Sequence, residues 1–193
     1  MTMGTMMGSP HRNTLIGIAA VALLLGLGAW WYTAQPASYD FEFVAGEEVV
    51  SWNFQGAYTG NPELEARAEA EIGRLKGLFG QEGYTDYELY ISIANQYGLL
   101  GDGKGEYDYL TRALAIDSEA TGLAWHNMGK LLERLGALKT ARIAYDNMVK
   151  AQPVIQYQTE RLEFLRAYMP EDTEAIAEAE AQLQGTAGEF ILE

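Results

Sequence analysis

Trp125-His126-Asn127-Met128-Gly129, followed by Leu132, Leu135-Gly136, Ala141, Tyr145, Met148 and Pro153, is the stretch that decides the fold. Large and small residues recur here at helical offsets. The small ones, Gly129 and Ala141, let two helices approach closely, and the aromatics Trp125 and Tyr145 fill the gaps beside them. Leu135-Gly136 marks a reversal between helices, and Pro153 a stop. The spacing predicts two antiparallel helices, at about 121–135 and 138–151.

The same pattern lies 35 residues upstream. Tyr90, Ile93, Ala94, Tyr97 and Leu100-Gly101-Asp102 take the places of Trp125, Met128, Gly129, Leu132 and Leu135-Gly136-Ala137. Leu110, Ala113 and Ser118 take those of Tyr145, Met148 and Pro153. Two further helices are therefore expected at about 86–99 and 104–116. Over these two units the chain resembles the tetratricopeptide repeat (TPR) family. That resemblance implies an all-α fold, a short superhelix of about seven helices whose first helix in each pair lines a concave groove. Two departures stand out. Glu106 occupies a place where the family has alanine, and Gly103 and Gly105 near the start of a helix should loosen that turn.

A more polar, degenerate pair follows, as the open end of an array requires. Ile155, Leu162, Leu165 and Tyr168 recur at helical spacing before Pro170. Asp172 or Thr173 then caps a last helix to about Gln184, with glutamates on its outer face. Upstream, Asn61-Pro62 caps a helix that should run to about Phe79, ended by Gly80 and Gly83. Tyr39 to Phe54 alternates apolar and polar residues, which predicts one or two short strands or extended segments, with a hairpin around Ala45-Gly46.

Thr14 to Tyr32 (TLIGIAAVALLLGLGAWWY) carries no charge and ends in interfacial aromatics. At about 1.5 Å per residue it covers roughly the 30 Å of a bilayer core. Arg12 before it and Asp40, Glu42, Glu47 and Glu48 after it orient the N-terminus to the cytoplasm. A cleaved signal is the competing reading, but Tyr32-Thr33-Ala34 lacks the small-x-small site. A buried helix is the third, and the run has no polar face. The expected organisation is a cytoplasmic tail over 1–13, a single-pass cell-membrane anchor over 14–32 and a linker with possible short strands over 33–60. A TPR-like domain outside the cytoplasm spans 61–185, with repeats at about 87–120 and 122–155 and a closing pair over 156–185, and 186–193 form a flexible tail.

All 27 acidic residues and 12 of the 13 basic ones lie after Tyr32, a balance of −15 that repels phosphate backbones and argues against nucleic acid as a partner. The chain has no cysteine, so thiol catalysis, disulfides and cysteine metal sites are excluded. Gly98 to Gly105 (GLLGDGKG) approaches a phosphate loop but lacks Ser/Thr after Lys104 and follows a helix, and Lys104 spoils a calcium loop. No serine motif or second histidine accompanies His126. No cofactor, no metal and no enzymatic activity are expected.

The resemblance places Glu88, Ile91 and Asn95 in the groove from the first unit, and Leu123, His126, Asn127, Lys130 and Glu133 from the second. Some family members hold a peptide carboxylate with two lysines, two asparagines and an arginine. Asn95, Asn127 and Arg161 match the asparagine and arginine places, whereas Ile91 and Tyr157 replace the lysines. A mixed groove for an extended or helical segment of a protein or peptide is the reading that follows. The expected function is a membrane-anchored scaffold or adaptor. A structural assembly subunit of an envelope or secretion complex, or a self-associating repeat protein, is the alternative.

Overall fold

The computed structural model describes the backbone of residues 37–190 and side chains up to 186. The proposed anchor at 14–32 lies outside the described residues. Among the described residues no helix is long and apolar enough to cross a membrane.

The described chain is all-α, with seven helices and no strand: α1 Pro62–Lys76, α2 Asp86–Leu100, α3 Gly103–Ile116, α4 Leu123–Arg134, α5 Leu138–Ala151, α6 Ile155–Tyr168 and α7 Thr173–Phe190. Each helix packs on its neighbours in sequence, most extensively α2 on α3 and α4 on α5.

Local chemistry accounts for most boundaries. Asn61 Oδ1 accepts from the Leu64 N–H at 3.3 Å, and Pro62 fills the first turn of α1. Thr85 and Glu88 cap α2 reciprocally. Asp102 accepts from the Gly105 N–H at 2.9 Å to open α3, and Asp172 from the Ala175 N–H at 3.1 Å to open α7. The reversals after α2 and α4 fall on Gly101 (φ 79°) and Gly136 (φ 76°), in the left-handed region that a side chain disfavours.

The core runs through α2 to α6. Ala94, Ala113, Ala141, Met128 and Tyr145 are fully buried, and Trp125 is 2 % exposed. Gly129 allows a close approach within the α4–α5 pair: a β-carbon there would lie 3.1 Å from the Tyr145 ring. A smaller cluster of Ile72, Leu75, Leu89 and Ile93 joins α1 to α2. Another, of Leu162, Leu165, Ala175 and Ala179, closes α6 on α7.

Four expectations are corrected. The stretch from Tyr39 to Phe54 forms neither strand nor hairpin, although Ala45-Gly46 does turn. It is an extended strap that bonds to helices and helix ends, with only local turns of its own at Val44–Glu47 and Ser51–Asn53. Tyr39 N–H donates to Thr111 O (2.8 Å), Phe54 N–H to Gly101 O (3.0 Å), and Gly103 N–H to Trp52 O (2.8 Å). Its inward residues Phe41 and Phe43 pack on Trp125 and Tyr107. Second, Gly103 and Gly105 do not loosen their turn. They are close-packing sites, where a β-carbon would lie 2.7 Å from Trp52 O and 2.5 Å from the Tyr97 ring. Third, α1 stops at Lys76 on Gly77, short of Phe79. Fourth, the last helix continues to Phe190, so the tail expected to be loose from 186 is helical over its described part. Thr186 accepts from Gln158 Nε2 at 2.9 Å, which ties that last stretch to α6.

The strap also repairs a defect. The residue preceding α5 is Ala137, which offers no capping side chain. The carboxylate of Glu47 takes that role from 92 residues away, accepting from the N–H groups of Lys139 and Thr140, both at 2.8 Å, and from Thr140 Oγ1 at 2.6 Å. Two free N–H donors and the positive end of the helix dipole meet a negative charge.

Candidate functional site

The first helices of the three C-terminal pairs, α2, α4 and α6, meet through side chains. Asn127 Nδ2 on α4 donates to Asn95 Oδ1 on α2 at 3.1 Å. The His126 ring stacks on Tyr157 of α6 with centroids 5.8 Å apart. Its Nδ1 lies 2.7 Å from Glu160 Oε2, with side-chain exposures of 22 % and 19 %. Neither of those two atoms has another hydrogen-bond partner.

Glu133 collects three groups from this side. It accepts from Tyr145 OH at 2.7 Å and Tyr168 OH at 3.0 Å, and Lys130 Nζ lies 3.6 Å away. Burial and the bond to the Glu133 carboxylate push the Tyr145 phenol far up, so it stays a donor.

Asn95, Asn127 and Lys130 then line one pocket of about 340 Å³. Gly98, Glu106, Arg134 and the residues just after the strap, Gln55, Gly56 and Ala57, complete its lining. Glu106 is 3 % exposed and accepts from Arg134 Nη2 at 2.8 Å. Its other oxygen, Oε2, is buried without a hydrogen-bond partner. Burial raises the Glu106 pKa to about 7 against the opposing pull of the Arg134 charge and hydrogen bond. Gly98 makes the space: a β-carbon there would lie 2.8 Å from Glu106 Oε2. The pocket therefore combines two amides, an ammonium and a guanidinium held by a buried carboxyl. Such a surface can donate to and accept from a polar chain, and it contains no nucleophile–base pair.

The sequence-derived groove residues are thus not all together. Asn95, Asn127 and Lys130 share the pocket, with His126 and Glu133 on the same helix α4. Leu123 begins α4 with 41 % of its surface exposed, and Glu88 is committed to the α2 cap. Ile91 is 6 % exposed and belongs to the core. Arg161 is 7 % exposed and turns to α5, where its Nε donates to Asp146 Oδ1 at 2.5 Å. It does not join Asn95 and Asn127, and the three do not form a carboxylate clamp. Glu106 and Arg134 were missed as site residues. Their signal was the glutamate at a place where close helix packing expects a small side chain. Among the described residues no group of three or more His, Asp or Glu side chains is placed to hold a metal ion.

Comparison with family models, curated proteins and solved structures gave no match for this chain.

Proposed function

We propose that this chain is a membrane-anchored, non-enzymatic scaffold that holds a protein or peptide segment in a TPR-like groove on α2, α4 and α6. The observation that carries the reading is the Asn95–Asn127 pair beside the pocket that Lys130 and Arg134 overlook. The paired amides on α2 and α4 leave the Asn95 amino group and the Asn127 carbonyl free, a donor group beside an acceptor as along a peptide backbone. The TPR-like part of the reading is supported by the turns at Gly101 and Gly136, 35 residues apart with nearly equal φ. The anchor part rests on the uncharged run from Thr14 to Tyr32. Tethering would confine the groove to a surface and raise its effective concentration toward other membrane proteins.

The test is photo-crosslinking in intact cells from a probe at His126, with and without the Asn95→Ala/Asn127→Ala/Lys130→Ala triple variant. A discrete protein adduct that the triple variant reduces about tenfold or more is the expected result. An adduct of unchanged yield removes the groove assignment, and the absence of any protein adduct removes the scaffold reading.

A further inference from the structure

A second cavity, of about 790 Å³, lies between α5, α6 and α7, on elements other than those of the groove pocket. Two polar side chains more than nine-tenths buried line it, and each has an atom with nothing to bond. Arg161, with its side chain 9 % exposed, spends Nε on Asp146 Oδ1, and its Nη1 is buried without a partner. Gln158, 5 % exposed, donates Nε2 to Thr186 Oγ1 at 2.9 Å, and its Oε1 is buried without a partner. The two sit one turn apart on α6. A buried free donor beside a buried free acceptor is unusual in a protein interior, where such groups are nearly always satisfied.

The charges around them are also left over in pairs. Arg142 is held by Asp172 at 2.5 Å, and Arg161 by Asp146. That leaves Lys150 and Glu178, which line the cavity and form no ion pair among the described residues. Lys150 is one turn along α5 from Asp146, the partner of Arg161. Glu178 lies on α7, where its Oε1 accepts from Gln182 Nε2 at 2.9 Å. Lys150 and Glu178 thus add one charge of each sign, neither in an ion pair among the described residues, to the free donor and the free acceptor.

We infer that this cavity is a binding site for a small zwitterion of the α-amino-acid class. Its carboxylate takes the hydrogen of Arg161 Nη1 and the charge of Lys150. Its ammonium gives a hydrogen to Gln158 Oε1 and faces Glu178. A simple anion would meet Glu178 unopposed, and a simple cation would meet Lys150, so only a ligand carrying both signs uses both. The cavity volume is within the range of small-molecule sites.

Calorimetric titration of the full chain with L-alanine, L-glutamate and L-lysine tests this, with propionate and ethylamine as single-sign controls. At least one amino acid should bind saturably below about 10 mM, and about tenfold or more tighter than either control. Lys150→Ala and Glu178→Ala, both at exposed helix positions, should each weaken it about fivefold or more, while Asn95→Ala in the groove leaves it unchanged. No saturable heat from any of the three amino acids overturns the proposal. So does binding that both variants retain, or that propionate or ethylamine reproduces at equal affinity.

Discussion

Glu106 should make this protein less stable as the pH rises from acid to neutral, and replacing it with glutamine should abolish that loss. Its carboxyl moves from an ordinary 4.5 to about 7 on folding. Between those values the folded state keeps a proton that the unfolded chain has released, so stability falls with rising pH across the window and the loss is complete above it. At about 1.4 kcal/mol per pH unit the window corresponds to roughly 3 kcal/mol. Glu106→Gln keeps the shape and stays neutral at every pH. At pH 4.5 the two proteins carry the same charge at 106 and should have urea midpoints within the equivalent of about 1 kcal/mol. By pH 8 the variant should lead by about 1–3 kcal/mol, the spread reflecting the loss of the charge-assisted bond from Arg134. Chemical denaturation of both proteins at a series of pH values measures the difference directly. A gap between variant and wild type that is the same at pH 4.5 and pH 8 would refute the reasoning, because it would mean that Glu106 titrates alike in the folded and unfolded chain.

Three further outcomes follow from contacts of known geometry. Glu47→Ala removes the cap of α5 and should cost about 1–2 kcal/mol at pH 7 in urea unfolding, with faster amide exchange at Lys139 and Thr140. Burial raises the Glu47 pKa, but the bonds from Thr140 and the Lys139 and Thr140 N–H groups outweigh it and leave the pKa lowered. Its contribution is therefore present above pH 4.5 and fades as pH falls through the folded value, so the cost of Glu47→Ala should shrink in acid. Gly105→Ala drives a β-carbon to 2.5 Å from the Tyr97 ring and should cost about 1–3 kcal/mol, read as a lower melting temperature. Gly73→Ala sits in the exposed interior of α1 with nothing within 4 Å and should instead raise stability by about 0.5–1 kcal/mol.

The helices were legible because their signals are local. Asn61-Pro62 and Asp172 each act within one turn, and the glycine reversals at 101 and 136 need only their own backbone angles; the Thr85–Glu88 cap is equally local, but the repeat resemblance assigns Glu88 to the groove instead. The strap was legible as extended chain but its partners were not, because alternation over Tyr39 to Phe54 states that two faces differ without stating what each face meets. Its partners lie far away in sequence: Thr111 for Tyr39, Thr140 for Val44, and Gly101 for Phe54. The same limit explains Ile91 and Arg161. Helical position alone places a residue to within one neighbouring face, and at α6 the choice between the groove and α5 is made by Asp146, which no repeat pattern marks.

What distinguishes the α2–α4 pocket is a glutamate where close helix packing expects a small residue. An array that only had to stack would carry a small residue at 106, and the strap would be dispensable to it. The buried glutamate at 106 should cost stability at neutral pH, yet it bonds Nη2 of the Arg134 guanidinium, while the Phe54 ring centroid of the strap lies 4.6 Å from the Cζ of the same group. Arg134 is 41 % exposed in its side chain and would otherwise sample many rotamers. Held between a buried carboxyl and an aromatic ring, it lines the pocket with its remaining N–H groups, so on the proposed scaffold reading less conformational entropy would be lost on binding a partner. By this argument Glu106→Gln, the stabilising change above pH 7, should also weaken partner capture, because it releases the group that the strap and the buried carboxyl together hold in place.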